Sequence, residues 1–254
     1  MKNNFHLSAN RATFAAEKRK RLMYRYCLLV VASMLFASCA GGYSIEGESS
    51  LSVLDGRTLY VKVPSGDRIV TVDSAEIIHG AFRMKGSFDS VVIASLYVGD
   101  ESIMPLVIER GKIEISIDNA RMTVKGTPLN NKFNDFITKK NILDDRAYEI
   151  ERLESRMIMD GKTASEIRAE IGRQRKQLAD DADLLAKTFI QENYGNVLGP
   201  GVFLMFCNGL PYPVLTPVME EIIKGAPESF TSNIYVQDFV STARLNMEKM
   251  RGVN

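Results

Sequence analysis

The chain has 254 residues, of which 45% are hydrophobic, 8% aromatic and 25% charged, and its formal net charge is +1. These fractions are typical of a folded globular protein and exclude a disordered, collagen-like or disulfide-dense class. Three cysteines and two histidines are too few to build a Cys/His zinc cluster. The length is sufficient for one large or two small domains with a buried core.

The N-terminal segment has the parts of a bacterial export signal. Basic residues cluster at 18–21 and at Arg25, and an apolar run follows at 27–37. These eleven residues, interrupted only by Ser33, are too few to span a bilayer, which needs roughly 20, whereas they suit the apolar region of a signal peptide. Ser38 and Cys39 follow the run, and the end of the run together with this cysteine resembles the lipobox of bacterial lipoproteins. The resemblance implies that residues 1–38 are removed and that Cys39 is acylated.

Two alternatives remain open for this segment. Cys39 could be a free cysteine after an ordinary signal peptide, since Phe36 stands where the lipobox usually has Leu or Val. Met23 could be the true start, because 26 residues is long for the basic region of a signal. Lipoproteins exported to the cell surface in the Bacteroidota often carry acidic residues after the cysteine. Residues 40–43 carry none, which favours an outer-membrane anchor that faces the periplasm.

The charge of the mature chain argues against a nucleic-acid partner. Residues 1–38 contain seven Lys or Arg and one Glu, so the rest of the chain carries 25 basic and 30 acidic residues. Nucleic-acid binding needs a basic footprint, which a net charge near −5 does not supply. We therefore expect the basic N-terminus to serve export.

Residues 39–126 are predicted to form a β-rich domain. Short runs of apolar and β-branched residues alternate with turns such as Asp55-Gly56 and His79-Gly80. Pro105, inside one run, predicts an edge strand or a bulge. The pattern indicates an antiparallel β-sandwich or open barrel. The predicted strands are 43–48, 58–63, 68–73, 81–85, 91–98, 104–109, 112–117 and 121–125.

Residues 127–254 are predicted to be helical, which makes the fold class α+β. Two amphipathic helices over about 129–192 are interrupted at 160–162, where Thr163 and Glu166 form a capping box. Each helix would be about 40 Å long, so we expect the hairpin to project as an arm. Gly195, Gly199 and Pro200 are predicted to end this stretch. Short helices are then expected at 202–207, 215–224 and 234–250.

The sequence contains no recognisable catalytic constellation, so we predict neither an enzyme nor a cofactor. Gly161-Lys162-Thr163 is similar to the end of a P-loop, but position 156 is Arg and a helix precedes it. His79 is interpreted as part of a surface turn.

The remaining candidate residues also have structural interpretations. Asp180, Asp181 and Asp183 lie on a predicted helix without the loop geometry of a calcium site. Tyr212, between two prolines, could belong to a recognition loop or mark a helix break. Cys207 is predicted to be a buried inert thiol, and the alternative is a contact thiol.

Six segments in order resemble the domain of unknown function numbered 4369. The resemblance covers about residues 43–135. In Bacteroidota lipoproteins this domain usually precedes a thioredoxin-like domain of the thiol–disulfide oxidoreductase or peroxiredoxin type, whose active site is a Cys-x-x-Cys pair. This chain has no such pair, so the resemblance supplies no catalytic residue, and we expect the thioredoxin-like domain to be absent. The segments are YSIEG at 43–47, DGRTLY at 55–60, VDSA at 72–75, GAFRMKG at 80–86, ERGKI at 109–113 and VKGTPLN at 124–130.

Three functions are compatible with the sequence. The first is a non-catalytic interaction module, tethered to the cell envelope through acylated Cys39, that binds another envelope protein or a small ligand. The second is an accessory to a thioredoxin-like oxidoreductase supplied by another chain, with Cys207 as a contact thiol. The third is an unrecognised hydrolase. The sequence favours the first.

Overall fold

The computed structural model describes residues 41–66 and 68–252. These residues form eight strands, one 3-10 helix (Ser52–Leu54) and six α-helices. The α+β class predicted from the sequence is confirmed. The strands are β1 (Gly41–Ser49), β2 (Thr58–Ser65), β3 (Arg68–Glu76), β4 (Ala81–Phe88), β5 (Val92–Val98), β6 (Glu101–Ile108), β7 (Gly111–Ile117) and β8 (Met122–Lys125). The helices are α1 (Pro128–Met159), α2 (Ala164–Glu192), α3 (Leu198–Cys207), α4 (Pro217–Lys224), α5 (Glu228–Thr231) and α6 (Ile234–Gly252).

The strands form two four-stranded sheets that enclose an apolar core. The first sheet has the order β4-β1-β7-β8 and the second has the order β3-β2-β5-β6. Strict alternation along β7 buries Ile113, Ile115 and Ile117 and exposes the residues between them, as the sequence pattern predicts. The core between the sheets also contains Leu59 of β2, Leu96 of β5 and other inward-facing residues of the strands.

One strand pair departs from the antiparallel expectation, because β1 and β7 are parallel. The chain leaves the first sheet after β4, passes through β5 and β6, and returns at the end of the sandwich where β1 begins. Gly111 therefore pairs with Tyr43, and β7 runs in the direction of β1. The periodicity of a single strand cannot predict this parallel pairing, because the relative direction of two strands depends on how the chain connects them.

The connections divide between two ends of the sandwich. We call one end the base; there β1 begins, the β2–β3 hairpin turns, and the β4–β5 and β6–β7 connections pass. Register places Gly41 opposite Phe88, Ser65 opposite Arg68, and Val92 opposite Ile108. The opposite end, which we call the far end, holds the turns at residues 77–80, 99–100 and 118–121.

The helical hairpin consists of α1 and α2, and its predicted capping box is present. The backbone N–H of Glu166 donates to Thr163 Oγ1, and the N–H of Thr163 donates to Glu166 Oε2 at 2.9 Å. In residues 142–182, which we call the arm, the buried side chains are Ile150 and Ile171. The arm thus has a narrow apolar seam, and two of its ion pairs cross from one helix to the other. They join Arg146 to Asp181 at 2.6 Å and Arg175 to Glu154 at 3.1 Å.

The remaining helices pack with the start of the hairpin on β5 and β6 and form a second apolar core. Phe203 and Phe230 lie at its centre and are fully buried. Gly201 of α3 lies against β5, where a Cβ would overlap the side chain of Ile93.

The hairpin ends at Glu192, as predicted, and Gly195 lies in the connection that follows. Gly199 and Pro200 were expected in this break, but both lie in the first turn of α3, which begins at Leu198 rather than at 202. Proline is tolerated there because its missing N–H would have no intrahelical partner. Helix α5 was also not predicted, because four residues are too few to show a helical period.

Candidate functional site

A buried polar junction joins the first turn of α1 to the edge strand β6. Asn130, which is 1% exposed, accepts from the N–H of Val107 at 2.8 Å and donates to the carbonyl of Val107 at 2.7 Å. Its side-chain amide also donates to Thr127 Oγ1 at 2.8 Å. The Asn130 side chain therefore satisfies both backbone groups of Val107, as a neighbouring strand would.

The N-terminus of α1 is capped by a side chain from a different element. Thr127 occupies the N-cap position but makes no side-chain capping bond. Instead the buried carboxylate of Glu109 accepts from the N–H groups of Leu129 and Asn130, at 2.8 and 3.0 Å. A negative group at a helix N-terminus satisfies free donors and is favoured by the helix dipole. Glu109 and Asn130 together fix the direction in which α1 leaves the sandwich.

Two glycines allow the backbone to pass through this junction. Gly126 has a φ of 98°, and a Cβ on it would lie 2.4 Å from the carbonyl oxygen of Lys112. Gly111 has a φ of 129° and lies against the methyl group of Thr127. The sequence segments at 109–113 and 124–130 therefore meet in space, and their shared residues hold the junction together.

A cleft of about 310 Å³ lies beside the junction, where the free edges of the two sheets face α1. α1 runs along it from the base toward the far end. The turn at 118–121 closes the cleft at the far end, and Asp118 Oδ1 stabilises this turn by accepting from the N–H of Arg121 at 2.6 Å. The cleft lining mixes apolar, amide and charged side chains, including those of Ile103, Pro105, Arg121, Met122, Asn134 and Ile137.

The β6 edge beside the cleft is closed to strand addition. Ile103 has no partner in the β5–β6 register, since Leu96 pairs with Met104 and Tyr97 pairs with Ser102. Pro105 has no N–H, and Val107 is already bonded to Asn130. The expected edge strand or bulge at Pro105 is confirmed as an edge with a neighbouring bulge. The cleft therefore suits a side chain or a compact ligand better than an added strand on β6.

Cys207 lies at the end of α3 in the second core and is 2% exposed. Burial raises the pKa of its thiol to about 12. A thiol in this state is neutral near neutral pH and is a poor nucleophile. Nothing in this environment supports a role as a contact thiol.

His79 and the three aspartates Asp180, Asp181 and Asp183 are on the surface, as expected. His79 is exposed, has a φ of 52° and forms the β3–β4 turn with Gly80. Asp181 forms an ion pair with Arg146, and Asp180 forms one with Lys176. Burial and the neighbouring Asp180 raise the pKa of Asp183.

The other candidates are placed as follows. Gly161 and Lys162 form the turn of the hairpin, and Tyr212 is exposed in the loop between α3 and α4. Residues 1–40, which include Cys39 and the predicted signal peptide, lie outside the described residues. Within 41–66 and 68–252, no group of three or more His, Cys, Asp or Glu side chains could hold a metal ion. The helices in these ranges include none that is both long and apolar enough to cross a bilayer.

Sequence reasoning missed Glu109 and Asn130. Each was included in an element or a family segment but was given no role. A signal was available, since Glu109 ends an apolar run and Asn130 begins an amphipathic helix. A polar residue at the end of one element can satisfy backbone groups of another, but the sequence does not show that these ends meet.

The fold and its junction define an α+β protein in which a β-sandwich carries a helical hairpin. Residues 43–133 match the model of the family described as "Domain of unknown function (DUF4369)", which confirms the resemblance noted from the sequence segments. The match ends in the second turn of α1 and so includes the whole junction. A search of curated proteins found no match.

Proposed function

We propose that this protein is a non-catalytic interaction module, tethered to the cell envelope through acylated Cys39, that binds its partner at the cleft between α1 and the two sheet edges. The observation that carries the proposal is the cleft itself, which brings apolar side chains of β6, β8 and α1 together with Arg121 and Asn134. Protein interfaces commonly combine apolar contact with a few orienting polar groups.

The proposed anchor agrees with the position of the first strand. β1 begins at Gly41, two residues after Cys39. Two residues extend at most about 7 Å, so an acylated Cys39 would hold the base against the bilayer. The cleft and the arm would then extend away from the membrane.

The test is site-specific photo-crosslinking in the native envelope. A photoreactive residue at Met122, which is 41% exposed in the cleft, is compared with one at Val53, which is exposed at the far end outside the cleft. We expect a discrete protein adduct at Met122 that is lost when Ile137→Glu is added, and no such adduct at Val53. Equal adducts at both positions, or none at Met122, would contradict binding at the cleft.

The same experiment separates the two binding hypotheses. If the adduct at Met122 contains a thioredoxin-fold protein, the accessory role becomes the specific form of this function. Any other envelope protein in the adduct leaves the general interaction module. The buried Cys207 gives the accessory role no support of its own.

A further inference from the structure

The β2–β3 hairpin exposes apolar side chains at the base of the sandwich. Ile69 is 63% exposed, Val70 43% and Val72 47%. β3 is the edge of the second sheet, and it contacts β2 and β4. Such side chains on a free edge strand usually mark a surface that something else covers.

The distance that the β2–β3 hairpin extends toward the base can be measured relative to Tyr43, near the start of β1. The hydroxyl of Tyr43 donates to Asp73 Oδ2 at 2.9 Å, which fixes the level of β1 in one sheet relative to β3 in the other. From Asp73 to Arg68 the strand runs toward the base beside Val61 to Ser65 of β2, with Val72 unpaired at a bulge. Four paired residues span about 13 Å. Arg68, at the hairpin turn, therefore lies about 13 Å beyond the level of Tyr43.

The proposed lipid anchor cannot lie much deeper than this. Cys39 precedes Tyr43 by four residues, so a fully extended chain places it at most about 14 Å beyond the same level. The hairpin turn therefore reaches about as far toward the bilayer as an anchored Cys39 could. A bilayer that holds the acyl chains of Cys39 would meet the hairpin.

We propose that the β2–β3 hairpin is a second membrane contact, in which Ile69 and Val70 enter the interfacial region of the bilayer beside the acylated Cys39. This inference rests on the anchor in the proposed function. Charges of both signs lie at the base, where Arg68 begins β3 and Asp89 and Arg110 lie in the β4–β5 and β6–β7 connections. The contact is therefore apolar, and it does not require anionic lipid.

The test uses the full-length lipidated protein reconstituted in phosphatidylcholine vesicles. Ile69→Cys and Val70→Cys are each labelled with a polarity-sensitive fluorophore, and Ile78→Cys at the far end is the matched exposed control. The buried Cys207 is protected from mild labelling. We expect nitroxide-bearing lipids to quench the labels at 69 and 70 by about half and to leave the label at 78 unchanged, as for interfacial insertion.

Each other outcome overturns the proposal in a recognisable way. Vesicle-bound protein with unquenched labels at 69 and 70 removes the membrane contact and leaves the anchor. A blue shift at these positions without lipid quenching means that protein covers the hairpin, which also overturns the contact. Wild-type protein that floats no better than Cys39→Ser removes the anchor and the membrane contact together.

Discussion

At the scale of single residues, Asn130 is a side chain whose loss leaves two buried backbone groups without their partner. It bonds to both the N–H and the carbonyl of Val107, and both residues are almost fully buried. Asn130→Ala should lower the free energy of unfolding by about 3 kcal/mol, because two buried backbone groups lose their partner. Urea unfolding measures this change.

The matched control for Asn130 is Asn141→Ala, an exposed position on the same helix. This substitution should change the free energy of unfolding by no more than about 0.5 kcal/mol, as for most surface substitutions. If Asn130→Ala cost no more than Asn141→Ala, the junction would not hold α1 to β6.

The thiol of Cys207 gives a pH dependence whose sign follows from its burial. Its pKa is raised from 9.0 in the unfolded chain to about 12 in the folded protein. Below pH 9 the thiol is protonated in both states and adds no pH dependence. Between pH 9 and about 12 only the unfolded state loses the proton, so the free energy of unfolding should fall by up to about 1.4 kcal/mol per pH unit.

Comparison with Cys207→Ala isolates this effect, because tyrosines and lysines titrate in the same range in both proteins. The variant should be less stable by about 1–2 kcal/mol at pH 7, since it leaves a small cavity. The stability difference between wild type and variant should shrink as the pH rises above 9. A constant difference up to pH 11 would mean that the thiol is accessible in the folded protein.

At the scale of elements, Gly201 determines how closely α3 approaches β5. A Cβ at this position would overlap the end of the Ile93 side chain. Gly201→Ala should therefore destabilise the protein by about 1–3 kcal/mol through overpacking. In an Ile93→Val background the overlapping methyl group is absent, and the same substitution should become neutral or stabilising because alanine favours the helix.

Gly172→Ala is the control for the effect of alanine on a helix. Gly172 lies inside α2 with open space where a Cβ would be added, so the substitution should stabilise by about 0.5–1 kcal/mol. Thermal unfolding of the four variants completes the comparison. A cost for Gly201→Ala that persists in the Ile93→Val background would place the steric conflict elsewhere.

The elements also show how far sequence reasoning reaches. Alternation and turn residues predicted all eight strands, and the capping box at Thr163 and Glu166 predicted the start of α2, because these signals are local. The parallel pairing of β1 with β7 was missed because it depends on the route of the whole chain. Pro200 was assigned to a helix end although the first turn of a helix accepts proline equally well.

The candidate site was less predictable than the fold, for the same physical reason. Pro105 was expected at an edge, and it is. The cleft beside it, however, forms only when β6, the turn at 118–121 and α1 come together, and β7 and β8 intervene between these elements in the chain. No local pattern indicates which residues of separate elements will line one cavity.

At the scale of the whole molecule, the helical hairpin of α1 and α2 is fixed where it joins the sandwich, whereas the arm makes its main contacts within itself. Near the sandwich α1 is held by Glu109 and Asn130, and the corresponding end of α2 contributes Ala186 and Ile190 to the second core. Beyond residue 141 the buried seam is reduced to Ile150 and Ile171. The arm should therefore contribute little to the stability of the rest of the protein.

Replacement of residues 146–181 by a short Gly/Ser turn tests this division. Arg146 Nη1 and Asp181 Oδ2 form an ion pair across the hairpin at 2.6 Å, so the two helices are neighbours at this level and a few residues can join the cut ends. The melting temperature of the shortened protein should stay within about 4 °C of wild type, which corresponds to roughly 1–2 kcal/mol for a protein of this size. The largest dimension measured by small-angle scattering should decrease by about 20 Å, since each helix loses some 14 to 18 residues at 1.5 Å per residue. Loss of cooperative unfolding in the shortened protein would show instead that the arm is part of the folding core, and α1 would then have to be stabilised from its distal end as well as from the junction.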